Sequence, residues 1–360
     1  MTPLAAKLRN RIAEQGPIPF REFMSAALFD TEHGYYASGR AEIGKRGDFF
    51  TNVSVGALFG RLLARQFAEM WQRLGAPARW TIVEQGAHRG DFARDALTSL
   101  AEFAPAAFRA VSYAIVEPCE ALRSAQMQAL SGLPVTWCSE PGQLDAFCGV
   151  HFSNELLDAF PVHLVARRAG HWIEHYVNEA FAFTDGPLSD ARLAAHLAVF
   201  DAPDGFVTEV NLAALDWIDA IAAKIERGYV LTIDYGYPRE QYLERHNGTL
   251  SAYAGHQRES DPLARPGEID LTAHVDFTSL IERADCAGLR LHGFTDQQRF
   301  LVGASRLHFT AEPALPAELR AFKTLMHPAL LGAAFKVVCF EKGDVAPESL
   351  SGFRSPSVSG

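Results

Sequence analysis

Residues 80–90 read WTIVEQGAHRG, a short apolar run that ends in an acid and continues into a glycine turn. Such a run predicts a buried β-strand, and the turn is followed by a predicted helix at residues 91–103. A second apolar run, residues 112–117, also ends in an acid and is followed by a predicted helix at 119–130. Strand, turn and helix in alternation predict a mostly parallel sheet covered by helices on both faces.

The same alternation extends in both directions from this stretch. Further strands are predicted at 134–137, 149–152, 228–234, 289–294 and 335–341, and further helices at 4–13, 20–28, 58–74, 212–225, 277–287 and 296–301. Two segments break the alternation. Residues 162–183 contain short β-like runs and predict a hairpin insertion, and residues 247–270 form a polar loop long enough to suggest function or mobility. The sequence thus predicts an α/β protein with a Rossmann-like sheet, N-terminal helices and a β-hairpin and loop insertion.

Composition narrows the class of protein. The 360 residues are 48% hydrophobic and 21% charged, which is ordinary for a globular protein. The formal net charge of −10 argues against a nucleic-acid surface, which needs clustered Lys and Arg. An acidic cleft could still attract a basic protein segment.

The cysteines and the N-terminal residues bear on location. Five scattered cysteines without CxxC spacing make a zinc site or a disulfide framework improbable, and they favour reduced, buried thiols in a cytoplasmic protein. Residues 1–18 have no apolar core of the kind found in secretory signals, and no apolar stretch approaches the length of a membrane span. We therefore expect a cytoplasmic protein without a membrane segment. The sequence does not determine the oligomeric state, and a homodimer is one option.

The two acids, Glu84 and Glu117, suggest a nucleoside pocket, since ligands of open α/β sheets gather at the carboxyl ends of the strands. Gly86 and Gly90 lie in the first turn, where glycine lets the backbone approach a ligand closely. A carboxylate after the second strand can accept both ribose hydroxyls. Neither GxGxxG nor GK[ST] is present, so nicotinamide and nucleoside triphosphates are poorly supported. The alternative is simple turn glycines and exposed carboxylates.

Several longer motifs indicate a resemblance to a known family. Residues 34–36 (GYY), 47–51 (GDFFT) with 58–60 (LFG), 153–163 (SNELLDAFPVH), 233–236 (IDYG), 248–253 (GTLSAY) with His256, and 266–277 (PGEIDLTAHVDF) occur in this order. From about residue 3 to about residue 342 the chain resembles the MidA family, whose mitochondrial members are associated with assembly of respiratory complex I. The resemblance implies a class I methyltransferase fold, S-adenosyl-L-methionine as cofactor, and an arginine of a protein partner as methyl acceptor.

The resemblance also implies a set of cofactor-binding residues. These are Asp48 and Thr51 in an N-terminal loop that covers the cofactor, Glu84, Gly86, His88 and Gly90 around the glycine turn, and Glu117. For Asp48 the alternative is an ordinary turn residue.

Position 88 departs from the family pattern, in which the turn typically reads E-x-G-x-G-x-G. His88 replaces the middle glycine. Its side chain could narrow the pocket, swing out and donate a hydrogen bond to the cofactor carboxylate, or mark a site that has lost its cofactor.

The segment after the strand at 149–152 is predicted to bind the methyl acceptor. Asn154 could orient a substrate nitrogen, and Glu155 or Asp158 could bind a guanidinium in bidentate fashion. Alternatively, Asn154 caps a following helix and Asp158 is a solvated helix residue. Asp234, at the end of the strand at 228–234, is expected to face the same cleft, and structural hydrogen bonding is an equal alternative.

Three further residues, His256, His274 and Asp276, are of types that suit a general base or a metal ligand, although their spacing matches no zinc signature. Structural or surface roles are the commoner reading of such residues. No metal is expected.

We expect three regions along the chain. Residues 1–75 would form a helical and GDFFT-loop region that packs on the core, and residues 76–342 the methyltransferase core, with insertions at about 162–226 and 247–276. Residues 343–360, rich in Ser, Pro and Gly, would be disordered. Two alternative functions stay open: a non-catalytic assembly or binding protein with a degenerate cofactor site, and a methyltransferase that acts on a small molecule.

Overall fold

The chain folds into two compact units in a computed structural model, which describes residues 2–37, 51–254, 257–310, 315–327 and 331–354. The first unit comprises residues 1–49, 157–216 and 237–280, and the second comprises residues 50–156, 217–236 and 281–360. The helices, in chain order, are α1 (Pro3–Gln15), α2 (Phe20–Phe29), α3 (Leu58–Arg73), α4 (Asp91–Phe103), α5 (Pro105–Ala110), α6 (Glu120–Ala129), α7 (Ala191–Leu197), α8 (Leu212–Lys224), α9 (Arg239–Leu243), α10 (Phe277–Cys286), α11 (Gln297–Phe309) and α12 (Pro316–Met326).

Most strands of the first unit are shorter than most strands of the second. In chain order they are β1 (Ile18–Pro19), β2 (Trp80–Gln85), β3 (Val111–Val116), β4 (Val135–Cys138), β5 (Phe147–Asn154), β6 (His163–Arg168), β7 (His171–Val177), β8 (Phe183–Gly186), β9 (Val207–Val210), β10 (Ile225–Tyr237), β11 (Ser251–Ala254), β12 (Gln257–Glu259), β13 (Asp270–Thr272), β14 (Val275–Asp276), β15 (Arg290–Asp296) and β16 (Phe335–Lys342).

The second unit is built on the predicted sheet. Seven strands lie in the order β15-β16-β10-β5-β2-β3-β4. Strands β10, β5, β2, β3 and β4 pair in parallel, and β16 runs antiparallel to both of its neighbours. Buried strands of a parallel sheet read as continuous apolar runs, which is why the run at 80–84 identified β2. The predicted α/β class is confirmed.

The register of the central strands positions the site. Gln85, the last residue of β2, lies opposite Val116 of β3 on one side and Ser153 of β5 on the other. Asn154, the last residue of β5, lies opposite Ile233 of β10. The carboxyl ends of these four neighbouring strands therefore meet at one edge of the sheet.

The first unit contains the two N-terminal helices, the segment predicted as an insertion at 247–276, and residues 162–216 of the one predicted at 162–226. Strands β1, β7, β6 and β9 form an antiparallel sheet with β8 on β7, and β12, β11 and β13 form a second one. The apolar faces of α1 and α2 pack into the core of this unit, for example through Leu8 and Phe23 together with Leu271. The hairpin insertion is present as β6 and β7, whereas the polar segment 247–270 is not simply a loop, because it contains β11 and β12.

Two expected boundaries differ from the structure. Residues 1–75 do not form one region, since α1 and α2 belong to the first unit and α3 to the second. The expected disorder from residue 343 does not hold for residues 343–354. Leu350 is fully buried, and its N–H donates to Nε2 of His292 at 3.0 Å. Residues 355–360 lie outside the described part of the chain.

Two general features complete the fold. Within the described ranges, no helix is long and apolar enough to cross a membrane. The cysteines are unpaired but are not uniformly buried as expected: Cys339 is buried, Cys286 is exposed and the others are half-buried.

Candidate functional site

The turn between β2 and α4 has left-handed backbone at alternate positions. The φ angles of Gly86, His88 and Gly90 are +84°, +46° and +82°. The N–H of Gly90 closes the turn by donating to the carbonyl of Ala87 at 2.8 Å. Residues with a β-carbon rarely adopt such angles, so the histidine keeps the conformation that glycine would favour. Backbone of this kind forms the nests that bind anionic groups.

Glu84 lies one residue before the end of β2 and is 3% exposed. Tyr113, on the neighbouring strand β3, donates its hydroxyl to Oε2 of Glu84 at 2.7 Å. Burial raises the pKa of Glu84 to about 8, and the hydrogen bond from Tyr113 opposes the rise only in part. Glu84 is therefore mostly protonated at neutral pH in this environment.

Glu117 directly follows β3 and is 5% exposed. Its Oε1 accepts from the N–H of Cys119 at 2.9 Å, and its Oε2 accepts from Nε2 of Gln126 at 3.1 Å. Burial raises the pKa of Glu117, while these two donors and the charge of Arg123 lower it. The structure thus brings the second predicted acid to the sheet edge beside the glycine turn.

Gln126 is a residue of this site that the sequence did not indicate. It lies in α6, its side chain is fully buried, and its Nε2 also donates to the carbonyl of His88 at 2.8 Å. Trp137 donates its indole N–H to Oε1 of Gln126 at 3.0 Å. One amide therefore bonds both to the glycine turn and to Glu117.

The ends of β5 and β10 bring together Asn154, Glu155 and Asp234. Glu155 has φ +52°, and its N–H donates to the carbonyl of Ile233 at 2.9 Å. Nδ2 of Asn154 donates to Oε1 of Glu155 at 2.8 Å. Residues 155–162 form bends and turns, so the alternative in which Asn154 caps a helix is wrong. Strained backbone at a non-glycine residue persists where the surroundings impose it, often at functional sites.

Asp234 is fully buried and is engaged by the backbone. Its Oδ2 accepts from the N–H of Leu156 at 3.1 Å, and its Oδ1 accepts from the N–H of Tyr235 at 2.8 Å. The carboxylate therefore fixes the chain just after Glu155, as the structural alternative predicted.

Two buried amides, also missed in the sequence, extend this arrangement. Nδ2 of Asn52 donates to Oδ1 of Asn154 at 2.9 Å, and Nε2 of Gln297 donates to Oδ1 of Asn52 at 2.7 Å. Both Asn52 and Gln297 are fully buried. Thr51 is buried beside them, and it exchanges hydrogen bonds with Ser54 in a local turn.

Asp158 is placed in the first unit rather than in the second. It is not a solvated helix residue, because it lies in a turn and is 7% exposed. Burial raises its pKa to about 7, and backbone hydrogen bonds oppose the rise. In the same unit the hydroxyl of Tyr36 donates to the buried carboxylate of Asp270 at 3.4 Å.

Asp48 and His256 lie outside the described residues. Asp276 is a structural residue, because its Oδ1 accepts from the N–H groups of Thr278 and Ser279 at the start of α10. His274 is largely buried, and burial lowers its pKa to about 4. Among the residues that the structure describes, no group of three or more His, Cys, Asp or Glu side chains could hold a metal ion.

The residues present fit a nucleoside cofactor with an amino-acid tail. The left-handed turn suits an anionic group, and Glu117 suits hydroxyl donors. The turn also lies close to the segment that follows β5. A β-carbon built on Gly86 would lie 3.5 Å from Cδ1 of Leu156 and 3.7 Å from the carbonyl oxygen of Asn154. A cofactor on the turn would thus lie next to Asn154 and Glu155.

Comparison with known proteins gives the family context. A family model described as "Putative S-adenosyl-L-methionine-dependent methyltransferase" matches residues 62–295. A protein from Burkholderia thailandensis whose crystal structure contains S-adenosyl-homocysteine is 34% identical, with a TM-score of 0.86 over 97% of this chain and 94% of that one.

Curated relatives are similar over most of the chain. A Drosophila melanogaster protein named "Protein arginine methyltransferase NDUFAF7 homolog, mitochondrial" is 29% identical over 95% of this chain and 86% of its own. The Homo sapiens protein named "Protein arginine methyltransferase NDUFAF7, mitochondrial" is 26% identical over 93% of this chain and 82% of its own. The cytoplasmic location expected from the cysteines is contradicted, because these relatives are mitochondrial.

Proposed function

The chain belongs to the family of S-adenosyl-L-methionine-dependent methyltransferases, as the resemblance to MidA predicted, and we propose that it methylates an arginine side chain of a protein partner. The observation that carries this proposal is the closeness of the glycine turn to the segment that follows β5. It supports a cofactor and an acceptor lying side by side at the ends of four neighbouring strands. The relatives named as protein arginine methyltransferases support arginine as the acceptor.

On this proposal the cofactor is held by the turn at residues 86–90 and by Glu117. When bound, S-adenosylmethionine supplies a methyl group made electrophilic by its sulfonium. The protein must then hold one acceptor nitrogen in line with that methyl group, which favours groups of fixed orientation.

Glu155 is the best candidate to bind a guanidinium. Its Oε1 accepts from Nδ2 of Asn154 at 2.8 Å and from the N–H of Asn52 at 3.4 Å, so its orientation is set before an acceptor arrives. A carboxylate held in this way can accept a charge-assisted hydrogen bond from a guanidinium N–H and take up the proton that leaves the methylated nitrogen. Asp234 is a positioning residue on this view, because two backbone N–H groups already occupy its oxygens.

Two measurements test the proposal. Calorimetric titration should detect binding of S-adenosyl-homocysteine to the purified protein. Incubation with methyl-labelled cofactor and a cell extract should transfer label to protein, and acid hydrolysis should release it as methylarginine. Glu155→Gln should lower the transfer by at least about tenfold and leave the affinity for S-adenosyl-homocysteine within about threefold of wild type. Glu102→Gln, at an exposed position in α4, is the matched control and should behave as wild type.

The outcomes separate the alternatives. Label confined to low-mass material would favour a small-molecule acceptor over a protein. A protein that binds no S-adenosyl-homocysteine would favour a non-catalytic assembly or binding role. Equal loss of transfer in Glu155→Gln and Glu102→Gln would remove Glu155 from the acceptor site.

A further inference from the structure

Gln126 makes three hydrogen bonds in a fully buried position of α6. Its Oε1 accepts from the indole N–H of Trp137 at 3.0 Å. Its Nε2 donates to the carbonyl of His88 at 2.8 Å and to Oε2 of Glu117 at 3.1 Å. Two of these three partners belong to the proposed cofactor site.

The orientation of this amide is set by its partners. An indole N–H can only donate, so the amide oxygen must face Trp137. Both hydrogens on Nε2 are then available for His88 and Glu117, which offer only oxygen atoms. A flipped amide would place its oxygen against two acceptors and its N–H groups against a donor. The observed arrangement is therefore the single one that satisfies every group.

We propose that Gln126 is a positioning residue for the cofactor, an inference that rests on the proposed function. Its bond to the carbonyl of His88 holds the turn at a residue whose φ of +46° is unfavourable for a side chain with a β-carbon. Its second bond holds the carboxylate of Glu117 at a fixed orientation relative to the turn. One side chain thus sets the spacing between the two groups that would bind the amino-acid tail and the ribose of the same ligand.

The substitution Gln126→Glu gives a pH-dependent test. The new carboxyl keeps the shape of the amide, but the oxygen that replaces Nε2 faces two acceptors and bonds to one of them only while it carries a proton. Burial and Glu117 favour that proton, and Arg123 opposes it. The other titratable groups around the site include Glu84 near the end of β2, His88 in the turn, and Cys138 at the end of β4.

S-adenosyl-homocysteine is the probe, and the full chain is titrated with it at several pH values. Relative to wild type at each pH, Gln126→Glu should bind within about threefold at about pH 5.5 and at least about tenfold more weakly at about pH 8. The ratio to wild type at each pH reports the effect of the new carboxyl, which includes its coupling to Glu117.

Gln126→Met removes the bonds at every pH and should weaken binding at least about tenfold. Gln66→Met is the matched control. Gln66 is a fully buried amide of α3 in the same unit that also makes three hydrogen bonds, to Glu69, Ser351 and Gly352. Its loss should lower the melting temperature and leave the affinity within about threefold.

A coupled pair of variants tests the link to the turn. Glycine adopts left-handed backbone without help, so Gln126→Met should weaken binding less in a His88→Gly background than in wild type.

The outcomes separate the inference about Gln126 from the proposed function. If wild type binds but Gln126→Met and Gln66→Met lose the same affinity, or if the affinity ratio of Gln126→Glu is independent of pH, the inference is overturned and the proposed function stands. Absence of binding by wild type would contradict the proposed function and the inference together.

Discussion

Replacing His88 with glycine measures what the departure from the family turn costs. His88 has φ +46°, close to the left-handed value near +57° that costs a residue with a β-carbon about 1–2 kcal/mol. Glycine avoids this cost but loses about 0.5–1 kcal/mol more conformational entropy on folding. The difference is about 0–1.5 kcal/mol, so His88→Gly is predicted to raise the free energy of unfolding by about 0.7 kcal/mol, measured by equilibrium urea unfolding. Because the turn already has the required backbone conformation, the affinity for S-adenosyl-homocysteine should change by less than about tenfold.

Ala76→Gly is the control for the backbone effect. Ala76 has φ +50° and lies exposed between α3 and β2, away from the turn at residues 86–90. It should gain similar stability with no change in cofactor affinity. Two results would refute the reasoning about His88. One is a fall in the free energy of unfolding for His88→Gly, and the other is a wild type that binds no cofactor beside a variant that does, since the imidazole would then block the site.

Three other perturbations have outcomes fixed by the structure. The pKa of Glu84 is about 8 in the folded protein, above its ordinary value. Its contribution to stability is therefore full below about pH 4.5 and is lost as pH rises through about 8. The free energy of unfolding of wild type, measured by urea unfolding, should fall over this range relative to that of Glu84→Gln. Asn52→Ala should lower kcat at least about tenfold with cofactor affinity within about threefold, and the loss should shrink in an Asn154→Ala background, because Asn52 acts through Asn154. Gly248→Ala should cost about 3 kcal/mol in the free energy of unfolding, because the new β-carbon would lie 2.3 Å from Oε1 of buried Glu209 at a φ of +72°.

The sheet of the second unit was predictable because its signals are local. The apolar run at 80–84 and the helix at 91–103 were identified to within a residue, since a buried parallel strand and an amphipathic helix each show their periodicity within a short window. The alternation of strands with helices predicted a mostly parallel sheet, but not the order of its strands. The site edge could be predicted for the same reason, because parallel strands share a carboxyl end.

The division into two units had no such signal. The first unit is assembled from three segments, residues 1–49, 157–216 and 237–280, that are far apart in the chain. Periodicity within each segment says nothing about which segments share a core. The strands of residues 251–259 were also missed, because each is only three or four residues long and lies in polar sequence.

The buried amides were missed because their residue type favours the opposite prediction. Asn and Gln are mostly exposed in proteins, so Gln126 in a helix and Asn52 in a turn attract no attention in a single sequence. Their burial becomes visible only when the carbonyl of His88 and the side chain of Asn154 appear as their partners. Residue type was misleading in the tail as well, because its Ser and Gly residues suggested disorder but Leu350 is buried.

The two acids at the ends of β2 and β3 differ in a way that residue type could not reveal. Burial raises the pKa of both, but the carboxyl of Glu84 has one hydroxyl donor, Tyr113, to oppose it, whereas Glu117 has the N–H of Cys119, the amide of Gln126 and a nearby guanidinium. Glu117 therefore has more groups that favour its carboxylate form, which suits an acceptor for two hydroxyl donors. Near neutral pH, Glu84 would take up negative charge when a cation arrives beside it, and S-adenosylmethionine brings both an ammonium and a sulfonium. If Glu84 does so, cofactor binding near neutral pH must release a proton, and the measured binding enthalpy must then vary with the ionisation enthalpy of the buffer in wild type but not in Glu84→Gln.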